Sequence, residues 1–176
     1  MLPTPAAIAP AERDIDKGTL MKNGWSALAL ASVMLVAGCS TNSVVRQSYK
    51  AAAPETYWYQ VKGNEDTDAE SLGMFQRQLD EKLDAAHLRG AEGSADARKM
   101  TITIDHYYMR SNGARFWAGI MAGRDKIKSK VEVAGTDGKT AARFDVESTN
   151  TSAWGTSEGL VGRHAEEIVE RLKQLQ

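Results

Sequence analysis

The dipeptide Asp137-Gly138, set between two runs of alternating polar and apolar residues, constrains the fold of this chain more than any other feature. Asp-Gly is a strong signal for a two-residue hairpin turn, because such turns need positive φ at their centre. Folding the chain there sets Glu132 opposite Arg143, Lys130 opposite Asp145 and Lys128 opposite Glu147. On the other face Val131 then meets Phe144 and Val133 meets Ala142. A slip of one residue would destroy the charge and apolar matches together, so pattern and turn agree on the register. The charged face is either a solvated sheet surface or a binding surface.

Other elements build around this hairpin. Tyr57 to Val61 is aromatic and β-branched and ends at Gly63-Asn64, which predicts a strand. Thr67 and Glu70 have capping-box spacing, after which Leu72, Phe75, Leu79, Leu83 and Ala86 share a helix face, with Gly90 as the stop. The stripe reads as core, not as a groove-binding or membrane helix. Met100 to Tyr108 alternates as a second strand, and strand, helix and strand in series imply a crossover between parallel strands. A last helix from about Ser157 to Leu175 carries Val161, Ala165, Ile168, Leu172 and Leu175 on one stripe, with Glu167 and Arg171 paired four residues apart. The expectation is a single small α+β domain over 55–176 of order βαβββα, a four-stranded mixed sheet with both helices on one face.

The N-terminal part is read differently. Met21-Lys22 precedes an apolar run from Trp25 to Ala37, too short to span a bilayer but suited to a signal-peptide core. It ends in Leu35, Val36, Ala37, Gly38 and Cys39, which resembles the lipobox of the bacterial lipoprotein pathway. In that reading 21–38 is the signal peptide and the Cys39 thiol takes up a diacylglyceryl group. Ser40 in the following position implies transfer to the outer membrane, facing the periplasm. Residues 1–20 are either a mis-assigned leader or an extended n-region, and 39–54, polar and alanine-rich, reads as a lipidated tether. As a flexible coil it would average roughly 20 Å end to end.

Composition narrows the chemistry. Twenty-two Lys and Arg balance 23 Asp and Glu in 176 residues, so no global basic field gathers nucleic acid. One cysteine allows neither an internal disulfide nor a cysteine metal cluster. His87, His106 and His164 show no ligand spacing, Asp105 and His106 are strand neighbours facing opposite ways, and no nucleophile elbow, phosphate loop or zinc-protease motif is present. No enzyme activity, cofactor or metal is expected.

Arg115 to Arg124 encloses an apolar stretch with Gly119 and Gly123 four apart. As a helix it would rise only about 12 Å, too little to span a bilayer. It is either a bend between strands, with Trp117 packed in the core and the glycines taking positive φ, or an exposed interaction surface formed by Phe116, Trp117, Ile120 and Met121.

The order of Gly113, Arg115, Gly119 and Gly123, an alternating strand, Asp137-Gly138-Lys139 and a closing amphipathic helix resembles a family of bacterial lipoproteins with a domain of unknown function of the 4410 type. The resemblance implies a lipid anchor and a small α/β domain, and brings no catalytic residues. At the level of fold alone it is similar to envelope-assembly lipoproteins whose domains form oligomers. Two functions follow as expectations. One is a non-catalytic envelope module that binds an envelope protein or itself. The other is a lipoprotein binding a small ligand or glycan through Tyr57, Trp58, Tyr107 and Trp154.

Overall fold

The computed structural model describes residues 39–111, 123–151 and 155–176. Along the chain these form β1 (Cys39–Gln47), β2 (Thr56–Lys62), α1 (Ala69–Ala85), β3 (Ala97–Tyr108), β4 (Asp125–Ala134), β5 (Thr140–Asn150) and α2 (Ser157–Lys173). The strands make one mixed sheet in the order β1-β5-β4-β3-β2. As the strand, helix and strand series predicts, β2 and β3 are parallel, and the other neighbours are antiparallel.

The sheet therefore has five strands, not four. The extra strand is β1, formed where a coiled tether over 39–54 was expected. Its sequence lacks an apolar period, but its hydroxyls find partners on the elements it meets. Ser40 Oγ lies 2.8 Å from Thr149 Oγ1 and Thr41 Oγ1 lies 3.0 Å from Ser148 Oγ. Ser43 donates to Glu167 of α2 and accepts from Arg171 Nε at 2.6 Å. Beyond the strand, Ala51 N donates to Leu175 O at 2.7 Å, so the connection to β2 also follows the domain surface.

Period-two burial makes the core face. Met100, Ile102 and Ile104 of β3 and Ile127, Val131 and Val133 of β4 are buried, while their strand neighbours are not. A register shift between Ile104 and His106 then turns Tyr107 inward. Phe75, Leu79 and Leu83 of α1 and Leu160, Ile168 and Leu172 of α2 cover this face. Each such side chain contributes roughly 1.5–3 kcal/mol on burial. Leu72 and Ala86 are only partly buried, at the rim of the cluster.

Two local expectations about α1 change in detail. α1 is capped by Asp68, whose Oδ1 accepts from Ser71 N at 2.7 Å, while Thr67 instead donates to Asn64 Oδ1 at 2.6 Å. The helix also stops before Gly90. Leu88 N donates to Leu83 O at 2.9 Å, closing the end through His87 at φ 56. Gly90 serves close approach, because a Cβ there would lie 2.5 Å from Thr56 Oγ1.

The β4–β5 register is the expected one, with Glu132 opposite Arg143, Val131 opposite Phe144 and Lys128 opposite Glu147. Its turn is wider than two residues. Gly138 N donates to Gly135 O at 3.1 Å, Gly135 N donates to Lys139 O at 2.7 Å, and the register shifts between Val133 and Ala134. Only Gly138 of the Asp137-Gly138 pair takes positive φ, at 76°. The turn is thus one closed by a glycine bulge, since a two-residue type I′ turn would need positive φ at Asp137 as well.

Candidate functional site

Cys39 pairs with Asn150, and Asn150 pairs on its other side with Asp125. One end of the sheet is thereby defined by the lipidation candidate, which opens β1 as a half-buried free thiol. Beside it sits a buried ion pair. Arg110 Nε donates to Asp125 Oδ1 at 3.1 Å and Arg110 Nη2 to Asp125 Oδ2 at 3.3 Å, with both side chains 0% exposed. Arg110 N also donates to Asp125 Oδ1 at 2.8 Å, Arg110 Nη2 to Asn150 O at 3.2 Å, and Asn150 Nδ2 to Asp125 Oδ2 at 3.3 Å. Buried charges persist only when they are paired and hydrogen-bonded in this way.

A second polar group crosses the core. His164 Nε2 lies 2.8 Å from Ser129 Oγ and His164 Nδ1 lies 2.9 Å from Ser148 Oγ, which in turn meets Thr41 Oγ1. The chain of side chains links β4, α2, β5 and β1. An imidazole beside a serine hydroxyl is the start of a nucleophile–base pair. Here burial pushes the His164 pKa down to about 3, so the ring is neutral and weakly basic. Its other nitrogen meets a hydroxyl, not an orienting carboxylate, and all three residues are buried away from any substrate. The arrangement orders the core, tying α2 to β4 and β5.

The sheet face away from the helices carries the charges. Glu132 takes Arg143 at 2.7 Å and Glu147 takes Lys128 at 2.8 Å, as the hairpin predicts. Lys130 does not take Asp145. It reaches across to Asp105 of β3 at 2.8 Å, and Asp145 is held by Arg46 of β1 at 2.9 Å. Glu147 also binds Lys126 at 2.7 Å, and its two lysines hold its carboxyl below the usual carboxylate range. Lys99 lies over the Trp58 ring at 5.2 Å. A groove of about 250 Å³ between Arg46, Asp105, Lys130 and Asp145 crosses this face. Among the described residues no group of three or more His, Cys, Asp or Glu side chains could hold a metal.

The sequence-predicted residues divide accordingly. Gly123 takes φ 88 and lies two residues before Asp125, so it shares the Cys39 end of the sheet, while Asp137 and Gly138 turn the chain at the opposite end. Leu35, Val36, Ala37, Gly38, Phe116, Trp117, Gly119, Ile120 and Met121 lie outside the described residues. Of the four aromatic residues considered for ligand binding, Tyr57 and Tyr107 are buried in the core, Trp58 is partly exposed, and Trp154 lies outside the described residues. Sequence reasoning missed both buried polar groups. The signal for the second was present as polar residues on apolar stripes: Ser129 between Ile127 and Val131, and His164 between Val161 and Ile168.

The sequence pattern of the domain of unknown function DUF4410 matches residues 64–154, half of the chain. The chain belongs to this family. The match covers α1, β3, β4 and β5 of the DUF4410 chain and leaves out β1, β2 and α2. Among solved structures, the PelC dodecamer from Paraburkholderia phytofirmans is similar at TM-score 0.50 and 11% identity, over 74% of this chain and 97% of that one. A variant PelC dodecamer from the same organism matches at TM-score 0.49 and 9% identity, over 76% and 96%. At 11% identity the likeness of the DUF4410 chain to the PelC dodecamer is one of fold alone. No curated protein matches the chain.

Proposed function

We propose that this chain is a non-catalytic, lipid-anchored envelope protein, a binding or assembly module at the periplasmic face of the outer membrane. The observation that carries the reading is that Cys39, directly after the lipobox-like residues 35–38, is also the first residue of a sheet strand. Acylated at that residue, the domain would begin at the membrane surface with no spacer. Two or more chains of acyl carbon give stable anchoring, at roughly 0.8 kcal/mol per buried CH₂. The burial of Ser129 and His164 supports a non-catalytic role. The PelC of similar fold is a dodecamer, which supports self-association as the binding mode.

Cell fractionation tests the reading. Wild type is expected in the outer-membrane fraction, released by detergent only. Cys39→Ala is expected as a soluble periplasmic form or an unprocessed precursor. A Cys39→Ala protein that stays in the outer membrane at wild-type level contradicts the proposal.

A further inference from the structure

Copies anchored in one leaflet cannot meet in every orientation. This restriction rests on the lipid anchor proposed above, and together with the charges of the two faces it selects a contact. β1 starts at Cys39 and runs away from it, so anchored copies point their strands the same way. Pairing two β1 edges antiparallel would separate the two Cys39 residues by about 30 Å along the strand direction, at roughly 3.3 Å per residue. One anchor would then leave the membrane. Antiparallel pairing through the exposed edge with Val44 and Val45 is therefore not the contact. The opposite edge is partly closed by its own chain, since Tyr57 N donates to Leu88 O at 2.7 Å and Gly90 N to Tyr57 O at 2.9 Å.

The two broad faces remain, and they differ in charge. On the open sheet face β4 presents Lys126, Lys128 and Lys130 in succession, which with Arg46 and Arg143 make five cations against four carboxylates, Glu132, Glu147, Asp145 and Asp105. Lys62 and Lys99 stand on the same face in β2 and β3, and among the described residues neither forms an ion pair. In the helix layer the balance reverses. Carboxylates outnumber cations in both α1 and α2, and Glu81 and Glu166 are exposed there.

We infer that the basic sheet face of one copy docks on the acidic helix layer of a second copy, in a head-to-tail contact that keeps every Cys39 on the same side. Such a contact uses two different surfaces, so it leaves one of each free and repeats into a closed ring or a filament. Complementary charge sets the orientation and disfavours sheet-to-sheet or helix-to-helix pairing, where like charges would meet.

The test uses the full acylated chain in detergent micelles, with assembly read by native mass spectrometry and folding by circular dichroism. One variant is Lys62→Glu with Lys126→Glu; the other is Glu81→Lys with Glu166→Lys. Wild type is expected to form assemblies that weaken with salt. Each folded variant alone is expected to be monomeric, and an equal mixture of the two to regain association, because the reversed faces complement each other. Should a reversal fail to fold, the same positions changed to Gln are expected to weaken assembly from either face. Variants that assemble as well as wild type overturn the contact, as does a mixture that stays monomeric. So does a wild type that binds an anionic polysaccharide without assembling. An acyl-labelled but monomeric wild type overturns the contact and leaves the anchor standing, whereas an unlabelled wild type overturns the anchor and the orientation argument with it.

Discussion

His164 of α2 and Ser129 of β4 meet at 2.8 Å between Nε2 and Oγ, with both side chains buried. Together with the 2.9 Å contact from Nδ1 to Ser148 Oγ, this pins the second helix to the two central hairpin strands at one register. Burial keeps the ring neutral, so one ring nitrogen donates to a serine hydroxyl and the other accepts from one.

A pH dependence follows. Burial pushes the folded pKa of His164 down to about 3, while the unfolded residue titrates near about 6.5. Below that value the unfolded state takes up a proton the native state refuses. The stability is therefore fully present above about pH 6.5 and declines as pH falls toward about 3, by up to roughly 1.4 kcal/mol per unit. Urea unfolding at about pH 7, 6 and 5 measures it. His164→Leu should remove this contribution to the slope, while costing about 1–3 kcal/mol for the hydroxyls left unmatched. An unchanged slope in the variant contradicts the assignment.

The buried ion pair predicts a larger effect. Asp125→Ala strands the Arg110 guanidinium in a site with no exposed side-chain surface, and breaking such a pair costs about 3–5 kcal/mol. Denaturant midpoints compared at constant m-value check this, and a loss below about 1 kcal/mol would show that the charge finds water.

Gly138 predicts a local cost of conformation alone. It sits at φ 76 with nothing within 4 Å of where a Cβ would lie, so no clash confuses the result. Gly138→Val should destabilise by about 1 kcal/mol or more, because a β-branched residue tolerates left-handed backbone badly. Thermal unfolding reads the difference, and a neutral Gly138→Val would refute the bulged turn.

Lys130 predicts a choice of partner. A double-mutant cycle should find stronger coupling between Lys130 and Asp105 than between Lys130 and Asp145, which Arg46 occupies. The reverse result would return Lys130 to the cross-hairpin pairing.

How far the sequence was legible depends on whether a residue's role was local. The β4–β5 register could be read because a turn signal, an apolar stripe and a charge stripe all repeat with the same period. α2 could be read for the same reason. β1 could not, because its stability comes from hydroxyls meeting Thr149, Ser148 and Glu167, more than a hundred residues away. The partner of Lys130 was lost likewise, since a third strand carrying Asp105 lies beside the hairpin. Arg110 and Asp125, 15 residues apart, carry ordinary surface chemistry in sequence and become a site only when β3 and β4 bring both inside. Cys39 was legible as a candidate from its neighbours, but its place as a strand's first residue was not.

Mass spectrometry of the mature N-terminus reads the lipid anchor at its source, Cys39. The expected N-terminal peptide begins at Cys39, carries acyl chains on its thiol and lacks residues 1–38. A mature protein that retains residues N-terminal to Cys39, or that carries an unmodified Cys39, would contradict the anchor.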